Sequence, residues 1–241
     1  MSLGIAARGV TRTFRRDVGV LHVDLAVTPG EVHALVGLNG AGKTTLMRLL
    51  LGMVQPTEGE VLVDGTSISA LPASAWGRVG HMIDGARGYP DLRTRENLRV
   101  AARLHGVPID RLPTVMQRAI EEFGLEDHVD VPTRRLSQGN RQRLGLAMAH
   151  QHDPALVVLD EPTNGLDPAG VIMLRDTLRR RADTGAGILV SSHHLDEVAR
   201  FADRITVLNR GRIVGTLSPD QSEIAHAFFE MVRVHDERLG R

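Results

Sequence analysis

The 241-residue chain contains no cysteine, which excludes disulfides and thiolate metal sites and suits a reducing compartment. It also has no net charge, since 29 Lys and Arg balance 29 Asp and Glu. No broad basic surface follows from that balance, and a dedicated nucleic-acid binder is disfavoured. Long apolar runs are missing as well. No window approaches the roughly 18 apolar residues of a membrane-spanning helix, and Met1-Ser2-Leu3-Gly4 leads into no apolar signal core. The expectation is a soluble, intracellular protein that would need another chain to cross a bilayer. Neither an internal repeat nor a low-complexity linker is visible. The length allows one large α/β domain or two small ones, with a real core. Lysine itself is almost absent: Lys43 is the single lysine, and every other cationic side chain is arginine. Coding-sequence composition can account for that bias away from Lys43.

Lys43 lies in Gly37-Leu38-Asn39-Gly40-Ala41-Gly42-Lys43-Thr44-Thr45, which matches the pattern G-x-x-x-x-G-K-[ST] of a phosphate-binding loop. An ammonium is a compact point charge that folds back over a tight loop, whereas a guanidinium is a wide planar fork. A lysine kept in so arginine-rich a chain points to a phosphate contact and a nucleoside triphosphate ligand. The context fits. Val32-His33-Ala34-Leu35-Val36 reads as a buried strand running into the loop, and residues 43 to 51 read as the helix after it. Loop amides and the helix start favour negative charge at one place.

Ala155-Leu156-Val157-Val158-Leu159 has no polar break, as expected for a central parallel strand, and ends in Asp160-Glu161. Ligands of open α/β sheets bind at the carboxyl ends of strands. Two acids there are costly unless a cation, a water or a substrate proton uses them; a pair of solvated loop acids is the plainer alternative. Asp167-Pro168 reads as a helix cap and first-turn proline, with the helix running to Arg181 and stopping near Gly185. Ile188-Leu189-Val190 is a third buried strand, ending at Ser191-Ser192-His193-His194. A helix over 195–202, a strand Ile205-Thr206-Val207-Leu208, a turn Asn209-Arg210-Gly211 and then Arg212-Ile213-Val214 complete the pattern.

This alternation predicts an α/β fold with a mostly parallel sheet and flanking helices. Two regions break it. Residues 3–30 and 59–68 read as short antiparallel strands with turns at Thr28-Pro29-Gly30 and Asp64-Gly65. Residues 88–150 read as an inserted helical subdomain broken at Pro108 and Pro132. The expected organisation is a nucleotide-binding domain over 1–218 and a helical tail over 219–241, with Ile224, Phe228 and Met231 on one face docked on the core.

Leu136-Ser137-Gln138-Gly139-Asn140-Arg141-Gln142-Arg143 then narrows the reading. It resembles the signature motif L-S-G-G-Q-x-Q-R of the ABC ATPases, departing at Gln138 and Asn140, and it precedes the acidic strand by about the family's interval. Glu161-Pro162-Thr163-Asn164-Gly165-Leu166-Asp167 resembles the family's run from catalytic glutamate through D-loop. His193 resembles its switch histidine, and Phe14 its adenine-stacking ring. The likeness spans nearly the whole chain and implies a P-loop NTPase of ABC type. Tyr89-Pro90-Asp91-Leu92, Arg95-Glu96-Asn97-Leu98 and Asn164 to Gly170 resemble exporters of the bacitracin-resistance kind.

The resemblance implies ATP and magnesium as ligands. Lys43 would contact the terminal phosphates, Thr44 and Asp160 would hold magnesium, and Glu161 would be the general base or orient the water. His193 would hold the terminal phosphate and that water. Asp84, where the family usually has glutamine, would reach the ion through a water. Ser137, Gln138, Gly139, Asn140 and Asp167 would face ATP on the opposite subunit of a head-to-tail dimer, more readily a homodimer. Ser137 equally reads as a plain N-cap of a helix over 138–148. The implied partner is a membrane-spanning permease subunit, which would hold the otherwise cytoplasmic chain at the inner face of the membrane. The implied function is ATP hydrolysis that powers export of a drug, antibiotic, peptide or similar compound. A soluble, non-transport ABC ATPase is the alternative, and a regulatory ATP-binding module without turnover is disfavoured by Glu161 and His193.

Overall fold

A computed structural model describes residues 4–14, 19–85 and 88–240. It contains two sheets. The larger is built from β3 (Val32–Val36), β6 (Val79–Met82), β7 (Leu156–Leu159), β8 (Gly187–Ser192), β9 (Arg204–Asn209) and β10 (Arg212–Leu217), in the order β10-β9-β3-β8-β7-β6. Its pairings are parallel except for the β9–β10 hairpin. The smaller is antiparallel, ordered β2-β1-β4-β5, from β1 (Ile5–Thr13), β2 (Gly19–Val27), β4 (Glu58–Val63) and β5 (Thr66–Ser67). Residues 3 and 15–18 of the segment expected to be antiparallel lie outside the described residues.

The central strands are buried along their whole length, because both faces of the large sheet are covered. Their side chains alternate between two cores. Val32, Ala34 and Val36 of β3, Val157 and Leu159 of β7, and Ile188 and Val190 of β8 face one. Leu35, Leu156, Val158 and Leu189 face the other. The second core is closed by the helix after the glycine loop, α1 (Lys43–Leu50), and by the antiparallel sheet. With a sheet on either side, α1 buries Leu46, Met47, Leu49 and Leu50 completely.

The first core is covered by α4 (Gln138–His150), α5 (Pro168–Asp183) and α7 (Ile224–Arg238). Between β6 and β7 the chain also forms α2 (Thr94–Leu104) and α3 (Leu112–Glu122), which pack on each other and on α4. α7 rests on β9 and β10, burying Phe228 and Val232 with Ile224, Ala227 and Met231 packed at the edge.

One element is shorter than its pattern predicts. The helix expected over 195–202 is α6 (Leu195–Val198). Beyond it the amides of Arg200 and Phe201 bond three residues back, to Glu197 and Val198, tightening the turn. Phe201 and Ala202 are drawn into the core, and the Asp203 carboxylate accepts from the Val32 amide at 2.8 Å, which returns the chain to the sheet.

Candidate nucleotide site

The strand order sets the site. β8 lies between β3 and β7, with Val36 opposite Ser192 and Leu159 opposite Val190, so three carboxyl ends stand side by side. From them emerge the glycine loop, Asp160-Glu161 and His193.

Within the loop, Leu38, Asn39 and Gly40 are exposed at the tip, while Gly37 and Ala41 are buried at its flanks. Gly42 has φ of 108°, and a Cβ there would lie 2.6 Å from the Gly19 carbonyl oxygen. Only glycine fits that position. Gly42 offers no side chain to cap α1, so the amides of its first turn, around Thr44 and Thr45, stay available to an anion. Lys43 is 7% exposed and folds back over the loop, its Nζ donating to the Gly37 carbonyl at 2.7 Å. The same Nζ is 3.3 Å from Glu161 Oε1.

The acids are held as firmly. Asp160 Oδ2 accepts from Thr44 Oγ1 at 2.7 Å, and Oδ1 accepts from Ser191 Oγ at 2.6 Å. Ser191 Oγ also accepts the Glu161 amide at 2.9 Å. Glu161 sits in the left-handed region at φ 49°, and that bond helps to pin it there. Its Oε2 is 2.7 Å from His193 Nδ1. Lys43, Thr44, Asp160, Glu161 and His193 thus form one connected cluster. Ser191 joins it as its hinge, fully buried at the end of β8. The signal for it was a polar pair, Ser191-Ser192, closing an otherwise apolar strand.

Other candidate residues lie apart. Ser137 caps α4, its Oγ accepting the Asn140 amide at 3.1 Å. Gln138 and Gly139 lie against Gly165, and Asn140 Nδ2 is 2.6 Å from His128 Nε2. Asp167 caps α5, accepting the Gly170 amide at 3.0 Å and Arg143 Nη2 at 2.9 Å. The Arg143 bond, followed by the Gly170 amide, lowers the Asp167 pKa. This second cluster meets the first through Gln142, whose Nε2 donates to the Pro162 carbonyl at 2.8 Å, next to Glu161. Phe14 follows β1, 45% exposed, with the Arg12 guanidinium 5.3 Å from its ring centroid. Asp84, beyond β6 with φ of 59°, accepts two bonds from Arg48 of α1 at 2.6 and 2.5 Å.

Thr44 and Asp160 bring a hydroxyl and a carboxylate oxygen together, a donor set suited to a hard divalent cation. With one carboxylate the shell would be completed by water and substrate oxygens, as is usual for magnesium in phosphoryl transfer. The cluster can therefore bind a polyphosphate, with a carboxylate placed to accept a proton beside it.

The profile of the ABC transporter family matches residues 20–164. The ABC transporter ATP-binding protein YhcH of Bacillus subtilis is 36% identical over 216 residues, covering 89% of this chain and 70% of that protein. The bacitracin transport ATP-binding protein BcrA of Bacillus licheniformis is 32% identical over 215 residues, covering 89% and 69%. A solved structure of an ATP-binding subunit of an ABC transporter superposes with a TM-score of 0.84 at 26% identity, covering 96% of this chain and 98% of its own.

Proposed function

The chain belongs to the ABC transporter family, and on that premise we propose that it binds and hydrolyses ATP to drive export of a drug, antibiotic, peptide or similar compound through a separate membrane subunit. One observation carries the reading. The Lys43 ammonium, the Thr44–Asp160 pair and the Glu161–His193 pair converge at three adjacent strand ends.

Phosphoryl transfer to water needs neutralised oxygens and a water placed in line. In the proposed mechanism Lys43 and the amides from Gly37 to Thr45 receive the phosphate chain. Phosphate oxygens compete with Gly37 and Glu161 for the ammonium. Glu161 Oε1, released from Lys43, can then accept a proton from the attacking water, while Oε2 stays on His193. A His193 ring that donates Nδ1–H to Glu161 keeps Nε2 free of that bond, and there it would hold the attacking water beside the terminal phosphate. Magnesium, held by Thr44 and Asp160, would supply charge neutralisation on the phosphates. Asp84 would join that site through a water after exchanging its Arg48 contact.

The α4 amino end completes the site across a dimer. One helix end favours an anion by only about 0.3–2 kcal/mol, so Ser137, Gln138, Gly139 and Asn140 would act with a second surface. Together with Asp167 they would face ATP on the opposite subunit, in a head-to-tail homodimer. Phe14 would stack on adenine. Among the described residues no helix is long and apolar enough to cross a membrane; the proposed transport path is the separate permease. Association with it would place the chain at the inner face of the membrane. Transport is supported by likeness to a protein named for bacitracin transport; the permease would choose the cargo.

The test is Glu161→Gln in the purified chain. The variant should bind ATP, hydrolyse it about 10²–10⁴-fold more slowly and elute as an ATP-dependent dimer. Wild-type phosphate release by this variant removes Glu161 from its role. Co-expression of an adjacent membrane-protein gene, followed by purification on this chain, tests the partner.

A further inference from the structure

We propose that His128 is a positioning residue for the amino end of α4, setting the Asn140 side chain through the 2.6 Å contact between Nδ2 and the His128 Nε2. This rests on the reading that α4 faces ATP bound by the opposite subunit. Where the resembled signature has glutamine, Asn140 is one methylene shorter. A short amide at the first turn of a helix has little reach, and its direction decides whether it can serve a ligand across an interface. Its backbone is already fixed by the Ser137 cap, so the side chain is the free variable.

His128 is suited to fix it. Its own amide donates to the Leu125 carbonyl at 2.9 Å, and its carbonyl accepts from Val131 at 3.0 Å. Leu125 is fully buried, and the adjoining Val129 packs against the core. The ring therefore stands on a backbone locked from both sides. An amide NH₂ can only donate, so Nε2 receives the bond with its lone pair. The bond takes one of the two Nδ2 hydrogens of Asn140 and so fixes the direction of the other, and of Oδ1, toward a ligand. The departure at Asn140 and the placement of His128 form one device, in which a residue 12 positions upstream sets an amide that is too short to set itself.

The experiment is steady-state ATP hydrolysis by the purified full chain, against ATP and protein concentration, for His128→Ala, His128→Phe, His128→Gln, Asn140→Ala and the double variant. His128→Phe keeps a ring without the acceptor, so it separates packing from the bond if the alanine variant folds poorly. Removing the acceptor should raise the ATP concentration for half-maximal rate about fivefold or more, with the saturated rate and the melting midpoint near wild type. His128→Gln, whose Oε1 can accept in place of Nε2, should restore wild-type behaviour. The double variant should be no worse than Asn140→Ala, because both changes remove one bond. Wild-type kinetics in His128→Phe overturn the inference, as do additive effects in the double variant. If His128→Phe is silent while Asn140→Ala weakens ATP dependence, His128 loses its role and the reading of α4 stands. If Asn140→Ala is itself silent, the underlying placement of Asn140 at the site fails.

Discussion

Replacing Ser191 by alanine tests the internal logic of the proposed catalytic cluster. The side chain is fully buried and makes two bonds with one oxygen, donating to Asp160 Oδ1 at 2.6 Å and accepting the Glu161 amide at 2.9 Å. Alanine leaves both partners unsatisfied. A buried orphaned group costs about 1–3 kcal/mol, more for a charged one. Asp160 keeps Thr44 on its other oxygen, so the sum comes to about 2–4 kcal/mol. For a chain of this length that corresponds to a fall of roughly 4–16 °C in melting temperature. The catalytic loss has a separate cause. Glu161 is held at φ 49° partly by the lost bond, and a side chain other than glycine resists that conformation. Freed, it carries its carboxylate away from Lys43 and His193, and a misplacement of about 1 Å can reduce the rate 10²-fold. ATP affinity should change little, since Lys43 and the glycine loop are untouched. Scanning calorimetry and phosphate release over a range of ATP concentrations measure the three quantities independently. A Ser191→Ala variant that melts with the wild type and turns over at its rate would show that Asp160 and Glu161 are positioned by other contacts.

Two further outcomes follow from the geometry. Lys43→Ala removes the ammonium that folds over the loop and should abolish measurable ATP binding in titration calorimetry; wild-type affinity would refute the placement. The fold should also be acid-sensitive. Burial, with Arg204 adding to it, pushes His33 down to about 4, and burial pushes His150 down to about 4. The unfolded chain takes up these protons near pH 6.5, so it binds more protons than the folded chain between those values. Stability is therefore fully present above about pH 6.5 and declines as pH falls toward 4, by about 2 kcal/mol per histidine at pH 5. Equal urea midpoints at pH 7.5 and pH 5 would show that these histidines do not resist protonation.

Strands β3, β7 and β8 were legible because burial on both faces favours mostly apolar runs, interrupted in β3 only by His33, and each run leads into residues of the proposed site. The glycine loop was legible for the same local reason. Ser191 was not, because its role depends on β8 lying beside β7, and a strand pattern does not state its neighbours. His128 was hidden likewise: a histidine in a polar stretch between α3 and α4 shows nothing of its meeting with Asn140. The overlong expectation for α6 failed for a tertiary reason. The pattern through Ala202 is helical, yet the Asp203–Val32 bond and the burial of Phe201 bring the chain back to the sheet four residues early.

The glycine loop is held by more than its own glycines. The Ala41 carbonyl accepts the Gly211 amide at 2.7 Å, and the Gly211 carbonyl accepts the Leu21 amide at 2.7 Å. A Cβ on Gly211 would lie 2.5 Å from the Gly19 carbonyl oxygen, so the antiparallel sheet, the loop and the β9–β10 turn meet backbone to backbone. That turn is anchored from outside: Asp236 of α7 accepts from Asn209 at 2.9 Å and from Arg210 at 2.7 Å. A contact path therefore runs from α7 through Arg210 and Gly211 to Ala41, two residues before Lys43. Donors fixed in this way need little reorganisation when charge arrives. The ends of the path are far apart in sequence, and the strand order alone brings them together.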